Sequence, residues 1–468
     1  MIDLLLINPG NLKKQFGNVS NYATIAQPLG ITMIAAYIRE NSNYTVKIID
    51  AEVEMLSPLE VSEIVKDLNP RVIGITAFTT KMTSAIEIIR SIRKLNIDSI
   101  ITIGGHHPSA IPEETLKETK VDYVIIGEGY NPILDILNGK NVKNILGIMY
   151  FNGEKYINNG RSNLINLDEL PIPAWDLLPM EKYRAHHWQT WNIGKPNSFA
   201  VIFSSLGCPY NCNFCSVNVV YGKRNVRFLT PERFVENIEF LVENYGIQHF
   251  EIIDDTFTLN KKRVRKICDL LIQKKLNIDA WCFGRTDRVD KGTLNKMVDA
   301  GINWVFLGLE AANNDTLKNV FKNQTQDVIY SATETIRNTG INLGGNFIFG
   351  IGNDTVLSMK ETLNMALTIV PDWANFFIPM AYPGTEMYNN NLGTNNLPSS
   401  WNGYGFFSKD SKPLSNINLT SDEILVFRDK AFNLFYNSNQ YKSHIIAKFG
   451  MAVWKDIEKM ANNILERG

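Results

Sequence analysis

The sequence predicts an α/β protein in which two parallel-sheet units follow one another and a helical tail closes the chain. Short apolar runs alternate with amphipathic, helix-length stretches through residues 1–140, and the same alternation starts again near Ser198. Between the two series, residues 141–197 are extended and punctuated by prolines. After residue 390 only helical patterns recur. These observations predict four parts, with bounds 1–140, 141–197, 198–390 and 391–468.

The bulk composition is that of an ordinary globular protein. The 468 residues include 20% charged and 44% hydrophobic side chains, and the formal net charge is -1. The slightly negative net charge argues against nucleic acid as the main partner. The first residues, through Pro9, predict a buried strand and not a signal peptide, and no apolar stretch approaches the roughly 18 residues of a membrane span. We therefore expect a cytoplasmic protein.

Residues 1–140 predict a doubly wound, Rossmann-like parallel sheet. Helical patterns separate its strands, for example at Ile31–Glu40, Ser84–Leu95 and Glu113–Glu118. Several strands end in glycines, and the carboxyl ends of the strands form the ligand-binding edge of such sheets. No G-x-G-x-x-G follows the first strand, so the dinucleotide fingerprint is missing. The predicted strands are Asp3–Asn8, Val46–Asp50, Val72–Thr76, Ile100–Ile103 and Tyr123–Ile126.

The segment 141–197 predicts a hinge between the two units. Gly147–Gly153 has the pattern of a small hairpin. Leu167–Pro179 is apolar and rich in prolines, which suits a strap packed between domains. His186 and His187 lie in an aromatic-rich stretch that either faces the active site or forms an exposed loop.

Residues 198–390 predict about six βα units, enough for a partial (β/α)6 barrel. The tail at 391–468 predicts helices over Ser421–Asn437 and Ser443–Leu465. The predicted barrel strands are Phe199–Ser205, His249–Ile253, Ala280–Phe283, Trp304–Gly308, Asn342–Phe349 and Ala374–Ile378. The predicted barrel helices are Pro231–Asn244, Lys261–Lys274, Lys291–Ala300, Asp327–Thr339 and Thr355–Ile369.

Three clustered cysteines, Cys208, Cys212 and Cys215, follow the first barrel strand. Four cysteines are the usual ligands of a cubane cluster that only carries electrons, so three leave one iron open to a reacting ligand. The alternative is a structural zinc site, but zinc usually takes four protein ligands and no fourth Cys or His lies close by. The other two cysteines, Cys268 and Cys282, are expected to be small buried hydrophobes.

Polar residues and glycines at the other predicted strand ends suit ligand binding, because reactive groups in parallel barrels gather at that end. Arg285 can hold a carboxylate through two parallel hydrogen bonds. Structural alternatives stay open: an N-capped turn for Asp254 or Asp255, a surface ion pair for Arg285, and a salt bridge for Glu310. Aromatic residues further on either line a substrate pocket or pack in the core; they are Tyr382, Trp401, Tyr404, Phe406 and Phe407.

The C-x-x-x-C-x-x-C motif at Cys208–Cys215, the Asp-Asp-x-Phe run at Asp254–Phe257 and the Gly-Leu-Glu run at Gly308–Glu310 resemble radical S-adenosylmethionine enzymes. The resemblance covers Ser198–Thr385. It implies that the cysteines hold a 4Fe–4S cluster whose open iron binds the amino and carboxylate groups of S-adenosylmethionine. One electron from the cluster would then cleave the sulfonium to a 5′-deoxyadenosyl radical, which implies an electron donor such as flavodoxin or ferredoxin. The implied cofactor contacts are Phe214 beside the adenine, Asp255, Arg285 and Glu310 at the methionine and ribose ends, and Asn346.

Three segments of the first unit, Pro28–Glu40, Gly104–Ser109 and Asp122–Gly129, resemble the cobalamin-binding domain that precedes one large class of these enzymes. Leu167–Pro179 resembles the interdomain strap of that class. The D-x-H-x-x-G signature of other cobalamin enzymes is absent, so we predict a cobalt with no protein histidine below it. His106 and His107 either contact cofactor amides or phosphate or are satisfied by backbone. The implied cobalamin contacts are Gly104, Gly105, His106, Gly127, Glu128 and Gly129.

The two resemblances together imply a cobalamin-dependent radical enzyme that acts on a small-molecule substrate. The leading hypothesis is methylation of an unactivated carbon through methylcobalamin and a 5′-deoxyadenosyl radical. The alternatives are an oxidative cyclisation or rearrangement without methyl transfer, and a sensor that keeps the domains without turnover. An intact cysteine triplet argues against the sensor. The sequence does not identify the substrate.

Overall fold

The computed structural model describes residues 2–191, 198–463 and 465–467. The last six residues of the predicted hinge, 192–197, lie outside the described part of the chain. Over the described ranges the protein has two parallel sheets, a connecting strap between them and a group of carboxyl-terminal helices. No helix in these ranges is long and apolar enough to cross a membrane.

The first sheet contains the five predicted parallel strands in the order β2-β1-β3-β4-β5. β1 is buried along its whole length, as expected for a parallel strand with helices on both faces. The strands of this sheet are β1 Leu4–Asn8, β2 Val46–Asp50, β3 Val72–Thr76, β4 Ile100–Gly104, β5 Tyr123–Ile125, β6 Ile148–Phe151 and β7 Tyr156–Asn158. Its helices are α1 Leu12–Phe16, α2 Leu29–Glu40, α3 Pro58–Leu68, α4 Met82–Arg93, α5 His106–Ala110, α6 Pro112–Thr119 and α7 Tyr130–Leu137.

The hairpin predicted in the hinge belongs to the first sheet. β6 pairs antiparallel with β5, and β7 pairs antiparallel with β6. The sheet therefore continues past residue 140 to Asn158. The physical reason is that β5 would otherwise be an edge strand, and Ile148 and Met149 bury their side chains beside it.

The second sheet contains six parallel strands in sequence order, β8-β11-β12-β13-β14-β15, which is the predicted partial barrel. A short antiparallel pair, β9 with β10, closes the loop that carries the cysteines. The strands are β8 Phe199–Ile202, β9 Ser205–Leu206, β10 Arg227–Phe228, β11 His249–Ile252, β12 Asp279–Gly284, β13 Ile302–Glu310, β14 Asn342–Ile348 and β15 Trp373–Phe377. The helices are α8 Pro231–Tyr245, α9 Lys261–Lys274, α10 Lys291–Asp299, α11 Asn314–Asn319, α12 Gln326–Arg337 and α13 Val356–Ile369.

Residues before the barrel cover its first strand and one of its ends. The Gln27 side chain donates to the carbonyl of Phe199 and accepts from the amide of Val201, so it satisfies the free backbone of β8. The Trp188 ring lies 4.8 Å from that of Trp304 and is buried. Trp188 also contacts Trp281, Phe306 and Trp373. Of the two alternatives for this stretch, the exposed loop is therefore wrong.

The carboxyl-terminal helices pack against the far edge of the barrel. The Tyr436 hydroxyl donates to the carbonyl of Ala374 and accepts from its amide, which satisfies the backbone of β15. The predicted helix Ser443–Leu465 is two helices, because Gly450 has a positive φ of 89° that ends the first one. The helices of this region are α14 Glu386–Asn389, α15 Ser421–Tyr436, α16 Asn439–Phe449 and α17 Met451–Ala461.

Candidate active site

The three cysteines lie on the loop between β8 and α8, as predicted. The amide of Asn218 fixes the start of this loop, because its side chain donates to the carbonyl of Cys208 at 2.8 Å and accepts from the Cys208 amide at 3.2 Å. Gly207 precedes the first cysteine with a φ of 93°, and an added Cβ there would overlap the carbonyl oxygen of Asn225. This position therefore requires glycine.

All three cysteines line one cavity of about 390 Å³. Cys208 and Cys212 are partly buried, and Cys215 is exposed. An iron ion would replace the thiol proton, since the thiolate is the metal ligand. In the described ranges no three His, Cys, Asp or Glu side chains converge on a point that could hold a single metal ion. Three thiolates leave one iron of a cubane cluster without a protein ligand, whereas a structural zinc ion usually takes a fourth protein ligand.

The two aspartates after β11 have different surroundings. Asp254 is buried and accepts three hydrogen bonds of 2.6 Å, from the Ser204 amide and from the hydroxyls of Ser204 and Ser205. It therefore holds the backbone that enters the cysteine loop. Burial, and then the charge of Asp254, raises the pKa of Asp255 to about 7. Asp255 is the member of the pair that remains partly accessible for a ligand.

Arg285 lies flat on the ring of Tyr210, with its guanidinium carbon 3.6 Å from the ring centroid. Its Nε donates to Asp287 at 3.0 Å, and a terminal nitrogen donates to the carbonyl of Lys322 at 3.0 Å. The side chain is buried, so its ion pair with Asp287 is not the surface pair considered as the structural alternative. Its predicted contact with S-adenosylmethionine stays a prediction.

Glu310 forms a buried ion pair with Lys322, at 2.6 Å between Oε1 and Nζ. The residue has a φ of 58°, and the register between β13 and β14 shifts at this point. A non-glycine residue with this φ carries backbone strain, which in folded proteins collects at functional sites. Lys322 was missed by the sequence analysis, because nothing in the local pattern distinguishes it from a solvated lysine.

The two remaining predicted cofactor contacts of the barrel lie on different elements. Asn346 on β14 accepts a hydrogen bond from Asn375 on β15 at 3.0 Å. Phe214, on the cysteine loop, is partly buried and packs against a small apolar cluster that includes Ile348 and Tyr388. The predicted contacts of Asn346 and Phe214 with S-adenosylmethionine stay predictions.

A carboxylate missed by the sequence analysis lies inside the barrel. Glu251 on β11 is in register with Val201 and Trp281 of the neighbouring strands. Burial raises the pKa of its carboxyl to about 8. The signal that could have found it is a single charge in the apolar run His249–Ile253.

The predicted cobalamin edge of the first sheet contains residues with well-defined protein neighbours. Gly105 has a φ of 107°, and an added Cβ would lie 2.9 Å from the carbonyl oxygen of Ala77. The ring of His106 stacks on Phe78, whose side chain is exposed, with 5.0 Å between the centroids. Burial lowers the pKa of His106 to about 4, so its imidazole is neutral at physiological pH. Gly104 packs beside Ile125.

The neighbouring loop contributes an ion pair to the domain interface. The carboxylate of Glu128 binds the guanidinium of Arg227 on β10 and accepts from the amide of Ile165 at 3.2 Å. The amide of Gly127 donates to the hydroxyl of Ser109 at 2.9 Å. Gly129 packs against Ile34. Glu128 thus connects the first sheet to the cysteine loop, and its predicted contact with cobalamin stays a prediction.

The second histidine of this edge is enclosed by protein. Nδ1 of His107 lies 3.2 Å from the hydroxyl of Thr79, and the ring packs against Trp401 at 4.4 Å between centroids. Trp401 comes from the tail and donates to Glu118 at 2.9 Å. The tail therefore contacts the first unit directly beside the predicted cobalamin edge.

Comparison with known proteins finds a match for both sheet units. Residues 17–137 match the model of the B12 binding domain, and residues 202–366 match that of the radical SAM superfamily. An uncharacterized methyltransferase of Pyrococcus horikoshii is 34% identical over 420 residues, which cover 88% of each chain. The anaerobic magnesium-protoporphyrin IX monomethyl ester cyclase of Rubrivivax gelatinosus is 27% identical over 82% of this chain and 70% of its own.

Among solved structures, the radical S-adenosylmethionine methyltransferase TsrM from Kitasatospora setae, with cobalamin and a [4Fe-4S] cluster bound, has a similar fold. The TM-score is 0.71 over 98% of each chain, at 14% identity. The fold and the site define a radical S-adenosylmethionine enzyme with a cobalamin-binding domain. The chain belongs to the cobalamin-dependent radical S-adenosylmethionine methyltransferase family, and its cofactors are a 4Fe–4S cluster, S-adenosylmethionine and cobalamin.

Proposed function

We propose that this enzyme transfers a methyl group to an unactivated carbon of a small-molecule substrate. When bound, the cofactors supply the methyl group and the 5′-deoxyadenosyl radical that abstracts a hydrogen atom. The chain's own residues bind these cofactors, position them towards one another and exclude water. The observation that supports the proposal is the direct contact between the cysteine loop and the carboxyl edge of the first sheet.

That contact is made of close backbone approaches. Arg161 donates to the carbonyl of Val220, just after the cysteine motif, at 2.8 Å. The same carbonyl oxygen lies 3.1 Å from the position of a Cβ at Gly127. On the β15 side, a Cβ at Gly384 would meet Val219 and Ala110. A cluster and a cobalamin held at these two edges would therefore open onto the same space.

The charges near this space suit a zwitterionic ligand. Arg285 provides a cation that can pair with the carboxylate of a methionine moiety. Asp255 and the Glu310–Lys322 pair provide acceptors for its amino group and for ribose hydroxyls. The three cysteines supply thiolates to the cluster. Binding energy from these fixed groups orients the cofactor before the radical forms.

Anaerobic reconstitution with S-adenosylmethionine carrying a deuterated methyl group tests the proposal. We expect 5′-deoxyadenosine and a product that has gained the labelled methyl group. Product formation with 5′-deoxyadenosine but without label would instead establish the cyclisation or rearrangement that the similarity to a cyclase makes the second candidate. If no 5′-deoxyadenosine forms and no candidate substrate is changed, both proposals are contradicted.

We also propose that no protein histidine binds cobalt from below. His107 is enclosed between Thr79 and Trp401, and His106 lies flat on Phe78. The missing D-x-H-x-x-G signature supports this proposal. The electron spin resonance spectrum of the cob(II)alamin form checks it, since nitrogen superhyperfine splitting from a protein imidazole would contradict the proposal.

A further inference from the structure

The cavity that contains the three cysteines has a positively charged opening. Arg161, Lys223 and Arg224 line it together with the cysteines, and all three side chains are exposed. We call these three residues the basic rim. The acidic residue on the same wall is Glu386. The rim is therefore a local excess of positive charge on a chain whose formal net charge is -1.

The rim is assembled from two parts of the fold. Arg161 follows the hairpin of the first sheet and donates to the carbonyl of Val220, and its stem packs on the turn at Gly222. Lys223 and Arg224 come from that same turn, just after the cysteine motif. Contact between the two domains thus brings the three cations to one side of the cysteine cavity.

Two of these cations have free charges. Among the residues that the structure describes, Lys223 and Arg224 have no carboxylate within ion-pair distance and no hydrogen bond from their side chains. Exposed cations without partners do little for folding stability but raise the rate at which an acidic protein associates. Their free charges are available to a partner.

The cavity is also connected to the predicted S-adenosylmethionine residues. Tyr210 lines the cavity, and its ring supports Arg285. A carrier docked at the rim would lie beside the cavity that the three cysteines line.

We propose that the basic rim is the docking surface for a small acidic one-electron carrier protein. This inference rests on the proposed radical function, because that function requires one electron for each S-adenosylmethionine cleaved. The carrier is oxidised by one electron, for example from a flavin hydroquinone to the semiquinone. The cluster is reduced by the same electron, from the 2+ to the 1+ state, and no proton or bond is exchanged at the rim.

The test compares two charge-reversed double variants of the cluster-loaded protein. K223E/R224E reverses the rim, and K143E/K455E makes the same change in net charge at exposed lysines that do not line the cavity. Binding of oxidised flavodoxin is measured by calorimetry at two salt concentrations. Cluster reduction is then followed by electron spin resonance, with reduced flavodoxin and separately with titanium(III) citrate.

We expect K223E/R224E to bind flavodoxin about tenfold or more weakly than the wild type at low salt. The affinity of this variant should also depend much less on the salt concentration. Cluster reduction by flavodoxin should slow in parallel, while reduction by titanium(III) citrate should match the wild type. K143E/K455E should behave as the wild type in every measurement. If flavodoxin reduces the cluster of the wild type faster than that of K223E/R224E, but the wild type makes no methylated product, the docking proposal stands and the methylation proposal fails.

Two results would overturn the docking proposal. The first is equal flavodoxin binding and equal reduction rates in the two double variants. The second is an equal loss of reduction by titanium(III) citrate in K223E/R224E, because this would show that the substitutions damage the cluster loop and not a docking surface.

Discussion

The carboxyl edges of the two sheets differ in how their polar groups are satisfied. At the first edge, Arg227 pairs with Glu128, and Thr79 and Trp401 pack on His107, whose Nε2 is buried without a hydrogen-bond partner among the described residues. At the second edge, burial leaves the pKa of Asp255 raised to about 7, and Glu310 holds a strained φ of 58°. The contacts of the first edge therefore mainly fix the positions of neighbouring segments, whereas the second edge offers charged groups to a ligand.

This difference suits two cofactors of different charge. A corrin presents many neutral amides, so a rigid edge with backbone groups and small residues suits it. S-adenosylmethionine carries several charges in a small volume, so it needs ionised side chains in a region of low dielectric. Changes at the second edge should therefore alter chemistry, and changes at the first edge should alter geometry.

The largest expected effect is the loss of the iron–sulfur cluster without the loss of cobalamin. Replacing Cys208, Cys212 and Cys215 together by Ala should reduce the iron content from about four per chain to none, because the cluster loses all its protein ligands. No 5′-deoxyadenosine should form, while cobalamin should still bind to the first sheet. Metal analysis for iron and cobalt measures both. Cys268→Ala, in the buried face of α9, is the matched control and should keep its iron. Loss of cobalt together with iron would show that the two edges are not independent.

Breaking the buried ion pair of the second edge should have the next largest effect. Lys322→Met leaves the Glu310 carboxylate buried without its partner and should lower the free energy of unfolding by about 4 kcal/mol. Denaturant unfolding measures this. In the double variant with Glu310→Gln, most of the loss should be recovered, since both charges are then absent. If Glu310→Gln alone weakens S-adenosylmethionine binding without affecting stability, the carboxylate acts on the ligand and not as a structural partner.

The two adjacent aspartates provide a finer comparison within the second edge. Asp254→Ala removes the acceptor of three hydrogen bonds and should lower the free energy of unfolding by about 3 kcal/mol. Asp255→Asn should cost much less stability but weaken S-adenosylmethionine binding. Unfolding in urea and equilibrium dialysis with the cofactor distinguish these effects. Equal losses of stability in the two variants would contradict the separate roles.

The smallest expected effect is a change in the pH dependence of stability. Because burial raises the pKa of Glu251 to about 8 from its ordinary 4.5, the folded protein keeps a proton that the unfolded chain releases. The free energy of unfolding therefore falls as the pH rises from 4.5 to 8 and is constant above that range for this group. Glu251→Gln should remove this part of the decline, visible as a smaller fall of Tm between pH 6 and pH 8. Identical Tm profiles for the variant and the wild type would show that Glu251 is ionised in the folded state.

Much of the fold followed from the sequence, because its elements are strongly patterned. Two predicted strands of the first sheet, Val46–Asp50 and Val72–Thr76, have the predicted bounds, as does helix Lys261–Lys274. Less was predictable where distant segments pair. The hairpin at Ile148–Phe151 was placed in the hinge because its pattern shows that it turns but not which edge it joins. The broken tail helix was missed because Gly450 alone does not reveal its φ.

The sequence by itself determined the two sheet units, their order and the cysteine loop, since these depend on local periodicity and on the spacing of three side chains. Only the tertiary structure decided which partner each charged group has. Lys322 is twelve positions from Glu310, and Arg227 is ninety-nine from Glu128. The tertiary structure also placed Glu251 inside the barrel and the basic rim beside the cysteines. The physical reason is that burial and charge pairing depend on distances through space, which a linear pattern does not contain.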